Sequence, residues 1–228
     1  MTMKDMKDRI SIQVGLSGYS FRIQSDVEDR SSGWLGAERI FSTPEFQKRY
    51  SEVTISVLTP KCALVPAQFH TQQASRQMLS EVANVTEEDF VEYVSIPEFA
   101  AVLLFSNSMV GALSRVLSET VLHVDGTKAR PLPEIYYMLK QLNGIPDYNK
   151  IMVSYKDDTL CLVIAQGKSL LFCNTFKAPD FTTAEYFIFL AMKKLQLNPE
   201  VSTIFFRTPL DQEQELSLYR YFKNVEQI

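Results

Sequence analysis

The chain has 228 residues, with 23 lysines and arginines against 27 aspartates and glutamates and a formal net charge of −4. Hydrophobic residues make up 46% and charged residues 22%, which is enough apolar material for a core and excludes global disorder. The acidic balance argues against a general nucleic-acid or anionic-membrane binder, because both partners require a cationic face.

The first residues, Met1-Thr2-Met3-Lys4-Asp5-Met6-Lys7-Asp8-Arg9, alternate in sign and read as a balanced solvated tail. They contain no apolar run of the length a secretory signal needs. The strongly apolar stretch Phe99–Phe105 is far shorter than the roughly 20 residues that cross a bilayer. Cys62, Cys161 and Cys173 are odd in number and form no C-x-x-C pair, so neither a disulfide framework nor a zinc site is expected. These features predict a reduced, cytoplasmic protein without a membrane span.

Ile10–Gln24, ISIQVGLSGYSFRIQ, predicts a hairpin turning at Leu16-Ser17. In that register Ile10 faces Ile23, Ile12 faces Phe21 and Val14 faces Tyr19, while Ser11, Gln13, Ser20 and Arg22 share the other face. A one-residue slip would mix the two sets, so the pairing is well specified. A Gly/Ser-rich loop at Ser31-Ser32-Gly33 then leads to a third strand expected near Leu35–Phe41. Between Glu52 and Val94 the pattern gives strands at Val53–Leu58 and Cys62–Val65, a helix around Gln72–Val82 and a strand near Phe90–Val94. Ala100–Phe105 reads as a buried strand followed by an Asn107-capped helix through Leu117. A strand at Val121–Val124 completes this half, and a helix at Pro133–Leu142, ending at Asn143-Gly144, connects it to the second.

Lys150–Asn174 predicts a three-stranded meander. A turn at Asp157-Asp158 pairs Val153 with Leu162 and Ile151 with Ile164, and a turn at Gln166-Gly167 pairs Leu162 with Leu171 and Cys161 with Phe172. Both faces are apolar, so helices must cover the sheet on each side. This register puts Cys161 and Cys173 on opposite faces. Thr182-Thr183-Ala184-Glu185 has capping-box spacing ahead of Phe187, Leu190, Ala191, Lys194 and Leu195, which lie on one i, i+3, i+4, i+7, i+8 helical stripe. A buried strand at Val201–Phe206 and a last helix through Glu215, Leu218 and Phe222 follow. Tyr186, Phe187 and Phe189 form either a helix face absorbed in the core or an exposed aromatic edge for a partner, and Leu216, Tyr219, Tyr221 and Phe222 carry the same two readings.

The C-terminal hundred residues thus read β-β-β-α-β-α, and the first half repeats that order with an insertion. Ile10 precedes Ile151 by 141 residues and Phe105 precedes Phe206 by 101; the difference of 40 is close to the length of Glu52–Val94. Two readings fit: a duplicated lobe, 1–128 with an insert at about 52–94 and then 129–228, or two α+β lobes that merely share common elements.

A duplicated β-β-β-α-β-α lobe, an α/β arrangement of mixed sheets with flanking helices, is similar to the ribonuclease-H-like lobes of actin-like ATPases. The hairpin ISIQVGLSGYSFRI, the apolar meander and the helix ending Leu195-Gln196-Leu197-Asn198-Pro199 resemble a bacterial family classified only as a domain of unknown function. The resemblance spans most of the chain and is weakest over Glu52–Val94. It implies an actin-like fold and supplies no activity. Pilus-assembly and secretion-platform cytoplasmic domains share that fold and act as scaffolds.

Actin-like ATPases hold nucleotide with two hairpin phosphate loops whose small residues let backbone N–H groups reach the phosphates, while carboxylates organise Mg²⁺. In this chain the first loop, Val14-Gly15-Leu16-Ser17-Gly18, has no carboxylate, and Gln13 stands about where the acid belongs. The second, Tyr155-Lys156-Asp157-Asp158-Thr159, has two acids and no glycine. The adenosine loop should carry Gly-Gly after Phe206 and reads Arg207-Thr208-Pro209-Leu210.

Other chemistries find little support. Asp125-Gly126-Thr127 resembles a phosphate loop superficially and reads more simply as a turn leaving a strand. His70 and His123 lie far apart, with no acid or thiol at ligand spacing. G-x-S-x-G and P-loop motifs are absent, and the first-lobe strands lack the clustered carboxylates of a ribonuclease H-type nuclease. The sequence therefore points to a non-catalytic scaffold or protein-interaction module with an unidentified protein partner, no catalytic or metal-binding residues, no nucleic acid and no cofactor. The alternative is a divergent ATP-binding protein or ATPase whose cleft holds Mg-ATP through Ser17, Gly18, Asp157 and Asp158.

Overall fold

The computed structural model describes residues 8–228, so most of the sign-alternating N-terminal tail lies outside the described residues. In chain order the elements are β1 (Arg9–Gly15), β2 (Gly18–Gln24), β3 (Asp29–Ser31), β4 (Arg49–Tyr50), β5 (Glu52–Val57), β6 (Cys62–Pro66), α1 (Ser75–Ser80), β7 (Glu92–Ile96), β8 (Ala101–Phe105), α2 (Gly111–Thr120), β9 (Leu122–His123) and β10 (Pro131–Pro133). They continue with α3 (Glu134–Gln141), β11 (Asn149–Lys156), β12 (Thr159–Gln166), β13 (Ser169–Lys177), α4 (Phe181–Lys194), β14 (Thr203–Phe206), α5 (Gln212–Tyr219) and β15 (Asn224–Gln227). By contact the chain divides into two units: the first runs to Val57 and resumes over Ser108–Leu132, and the second comprises Leu58–Asn107 and Pro133–Ile228.

The first unit is organised by the alternation in β1 and β2. Their antiparallel register pairs Ile10 with Ile23, Ile12 with Phe21 and Val14 with Tyr19, as the apolar pattern requires. β5 then lies parallel to β1, setting Val53, Ile55 and Val57 beside Ile10, Ile12 and Val14. All six side chains are buried in one cluster with Leu117 and Val121, each contributing about 1.5–3 kcal/mol through removal from water. Tyr19 packs tilted against Phe46 with ring centres 5.3 Å apart and shares a hydrogen bond with Thr43 through its hydroxyl at 2.8 Å. The five strands run in the order β10-β5-β1-β2-β3.

The third strand differs from expectation. It is the short β3, while Leu35 makes only a bridge to Tyr19 and Ala37–Ser42 forms a 3₁₀ turn. Ile40 and Phe41 are adjacent bulky residues, and the 3₁₀ turn buries the first and leaves the second 75% exposed.

In the second unit β11 and β12 pair Val153 with Leu162 and Ile151 with Ile164, as expected. The next register does not follow expectation. Ala165 pairs with Leu170, a bulge follows, and Val163 then pairs with Cys173. The turn residues are Gly167 and Lys168; Gly167, at φ +56°, takes the left-handed position a side chain would resist. The bulge shifts the rest of β13 by one residue, so Cys173 falls on the same face as Cys161. All three cysteines are free thiols. β14 runs parallel to β11, and β15, which the sequence did not suggest, runs parallel to β14. The strand order is β13-β12-β11-β14-β15.

The two five-stranded sheets thus share one strand order. In the first, the strand matching β14 is β5. Ala101–Phe105, expected in that role, is instead the centre of a separate antiparallel sheet, β6-β8-β7. An all-apolar strand fits either place, because both bury it on two faces. The stretch outside the first five-stranded sheet accordingly runs over Leu58–Asn107, where the length argument put it at about 52–94.

Helix starts depart from expectation in two places. α4 is capped by Asp180, whose Oδ1 accepts from the Thr183 N–H at 2.7 Å; Glu185 bonds Ser217 and closes no capping box with Thr182. α2 begins at Gly111 without a side-chain cap, so Asn107 does not cap it. α5 has a full capping box between Asp211 and Gln214.

Candidate functional site

The carboxyl ends of parallel strands are where open α/β sheets place ligands. Here those ends are the β1–β2 turn in the first unit, and the β11–β12 turn with the residues after β14 in the second.

In the first unit, Leu16 and Ser17 form the turn between the paired Gly15 and Gly18. Gly18 sits at φ +146°, and a Cβ there would lie 2.0 Å from the Leu35 carbonyl oxygen. The Leu35 segment is locked against the turn: the Tyr19 N–H donates to Leu35 O at 2.9 Å and the Leu35 N–H donates to Tyr19 O at 2.7 Å. The neighbouring Trp34 donates its indole Nε1–H to Ser17 Oγ at 2.9 Å. Gln13 is buried, and its Oε1 accepts from Ser20 Oγ at 3.3 Å. The turn therefore carries no fixed negative charge, and its hydroxyl is engaged by an indole donor.

In the second unit, Asp157 and Asp158 occupy the two left-handed positions of a tight hairpin turn, at φ +50° and +57°. Aspartate tolerates that conformation better than most residues. The Asp158 carbonyl accepts from the Ala178 N–H at 2.8 Å. Tyr155 donates its hydroxyl to Ala178 O at 3.1 Å and its backbone N–H to Thr208 Oγ1 at 2.9 Å. Burial first, and then the Asp158 and Asp180 charges, push the Tyr155 phenol above its usual range. The two carboxylates are thus adjacent on a turn whose backbone is tied to the segments after β13 and β14.

Arg207 follows β14 where an adenosine loop would begin. Its guanidinium turns back to Glu134 at the start of α3, with Nε 2.6 Å from Oε1, and also bonds Gln141. The same Glu134 oxygen accepts from Ser154 Oγ at 2.6 Å. The Glu134 side chain is fully buried and Arg207 nearly so. The sequence reading missed this network, although an acid directly after Pro-Leu-Pro and a lone arginine ending an apolar strand were its available signals.

Of the four predicted nucleotide-contacting residues, Ser17 and Gly18 are neighbours in the first unit and Asp157 and Asp158 are neighbours in the second. Asp125 accepts from the Thr127 N–H at 2.9 Å and from the Thr127 hydroxyl at 2.7 Å, which makes Asp125-Gly126-Thr127 an Asx turn. His70 bonds Ser75 Oγ at 2.9 Å and packs on Tyr93. Among the described residues no group of three or more His, Cys, Asp or Glu is arranged to hold a metal ion. No helix among them is long and apolar enough to cross a membrane.

One further buried cluster escaped the sequence reading. Asp89 accepts from Lys61 at 2.6 Å, from the Thr86 N–H at 2.7 Å and from Ser106 Oγ at 2.9 Å. Burial alone would raise its pKa, but these donors together hold the carboxyl well below the usual aspartate range.

This architecture is that of an actin-like ATPase fold. A Bacteroides thetaiotaomicron protein described as having an actin-like ATPase fold and unknown function superposes with a TM-score of 0.64 at 17% identity, over 100% of this chain and 94% of that one. A chain of the PilM–PilN type IV pilus biogenesis complex superposes at 0.51 and 12% identity, over 96% and 88%. At these identities the likeness establishes the fold alone. The chain belongs to the family described as protein of unknown function (DUF3822), whose model matches residues 2–225. No curated protein matches it.

Proposed function

We propose that this protein is a cytoplasmic, non-catalytic scaffold or protein-interaction module, a pseudo-ATPase whose two lobes, about 1–128 and 129–228, are duplicated copies. The observation that carries the reading is the β1–β2 turn, where Gln13 stands in place of an acid and Trp34 occupies the Ser17 hydroxyl. An amide supplies none of the negative charge that a hard cation needs. The Arg207–Glu134 pair supports the same reading, since it fills the start of the expected adenosine loop with a structural ion pair. A protein partner is suggested by the structural likeness to a chain of the PilM–PilN complex.

A divergent ATP-binding protein is the second reading, and the adjacent Asp157 and Asp158 favour it. Thermal melts with and without Mg-ATP separate the two. Ligand at one hundred times its dissociation constant adds about 2.7 kcal/mol of stability. The scaffold reading expects melts unchanged by millimolar Mg-ATP, Mg-ADP and Mg-GTP. A magnesium-dependent rise that Asp157→Asn with Asp158→Asn removes would overturn it.

A further inference from the structure

Within the second unit, a cavity of about 210 Å³ lies among β6, β8, α3 and β13. Its walls include Cys62 and Leu64 of β6, Leu103 of β8, Ile135 of α3, and Cys173 with Asn174 of β13. An apolar protein cavity of about 150 Å³ suffices to hold benzene, so this space admits a molecule somewhat larger. No lysine, arginine, aspartate, glutamate or histidine lines it.

We propose that this cavity is a binding site for a small uncharged molecule with an aromatic or branched aliphatic body. The apolar body follows from Leu64, Leu103 and Ile135. The thiols fit the same class. Burial pushes Cys62 up to about 12 and Cys173 above its usual range, so both face the cavity as neutral, weakly polar groups. A cation needing thiolate ligands and an anion needing a positive wall are both disfavoured there. The site is independent of the hairpin turns and of the scaffold reading.

Methyl-resolved NMR of the full chain, titrated with acetophenone and separately with benzoate, tests the proposal. Acetophenone supplies an uncharged aromatic body, and benzoate has similar shape with a full charge. The expected result is saturable shifts of the Leu64, Leu103 and Ile135 methyls with acetophenone, at least tenfold weaker binding of benzoate, and loss of the shifts in Leu64→Phe, which fills the space. Should that variant not fold, Cys173→Phe fills it from the half-exposed opposite wall. Methyls unmoved up to the solubility limit of acetophenone, shifts retained in a folded filled variant, or equal binding of benzoate would each overturn it.

Discussion

The two five-stranded sheets share strand order, yet they are finished differently. Between the third strand and the strand parallel to the first, the second unit inserts the fourteen-residue helix α4, whereas the first unit has two 3₁₀ turns, Ala37–Ser42 and Pro44–Gln47, and the two-residue strand β4. The third strand is nine residues in one sheet and three in the other. What both retain is the central parallel pair and the hairpin beside it. The comparison shows where the topology is specified: in the central hairpin and its parallel neighbour, whose large apolar side chains must meet across the strands to be buried together. The covering layer is free to vary once it removes enough surface from water.

The largest expected effect concerns the buried ion pair of the second unit. Glu134→Ala leaves the nearly buried Arg207 guanidinium and the Ser154 hydroxyl without their acceptor, and removing one member of a buried pair costs about 3–5 kcal/mol. Denaturant unfolding measures it. Glu134→Met combined with Arg207→Met should recover most of the loss, because no isolated charge remains. A loss below about 1 kcal/mol for the single variant would mean that the pair does not fasten α3 to β14.

Turn glycines sharpen the comparison. In the first unit Gly18→Ala combines a positive φ with a Cβ driven into the Leu35 carbonyl, and a cost of about 3 kcal/mol or more is expected. In the second unit Gly167→Ala meets only the Tyr148 ring at 3.4 Å, so about 1–2 kcal/mol from backbone strain is expected. Equal costs would show that the Leu35 segment yields easily and does not clamp the first turn.

Asp89 gives a pH test inside the three-stranded sheet's unit. Its carboxyl pKa is lower folded than the ordinary 3.8, so its contribution is present above about pH 4 and is lost as the pH falls toward the folded value. Asp89→Asn should cost about 2 kcal/mol at pH 7 through weakened bonds to Lys61 and Ser106. The gap between variant and parent should narrow as the pH drops below 4. A gap independent of pH would assign the loss to packing instead of charge.

Legibility followed the same division. The β1–β2 register is legible residue by residue from apolar alternation, and the β11–β12 register from its two-residue Asp157-Asp158 turn. The β12–β13 register departs from the pattern because a bulge leaves no mark in an apolar strand, and the bulge alone brings Cys173 to the Cys161 face. Ala100–Phe105 reads as a buried strand in the sequence, but nothing in it marks the separate sheet that takes Ala101–Phe105, since an all-apolar run fits any central position. At the candidate site, the residue types of the turns were legible. The Trp34–Ser17 bond and the Glu134–Arg207 pair were not, because partners 17 and 73 residues apart are joined only by the fold.

The smallest effect separates two readings of one helix start. Thr182 and Glu185 have capping-box spacing, but the chain gives the role to Asp180, two residues earlier. An ionised carboxylate accepts the first-turn N–H more strongly than a hydroxyl and also meets the positive end of the helix. Starting at Phe181 additionally brings that ring to 5.7 Å from Tyr155, a contact that a start after Thr182 would forfeit. Thermal melts of Asp180→Ala and Thr182→Ala should therefore differ. The first should fall measurably, and more at low salt, and the second should stay within about 0.5 kcal/mol of the parent. The reverse order would return the cap to Thr182 and make the Asp180 bond a consequence of the helix start instead of its cause.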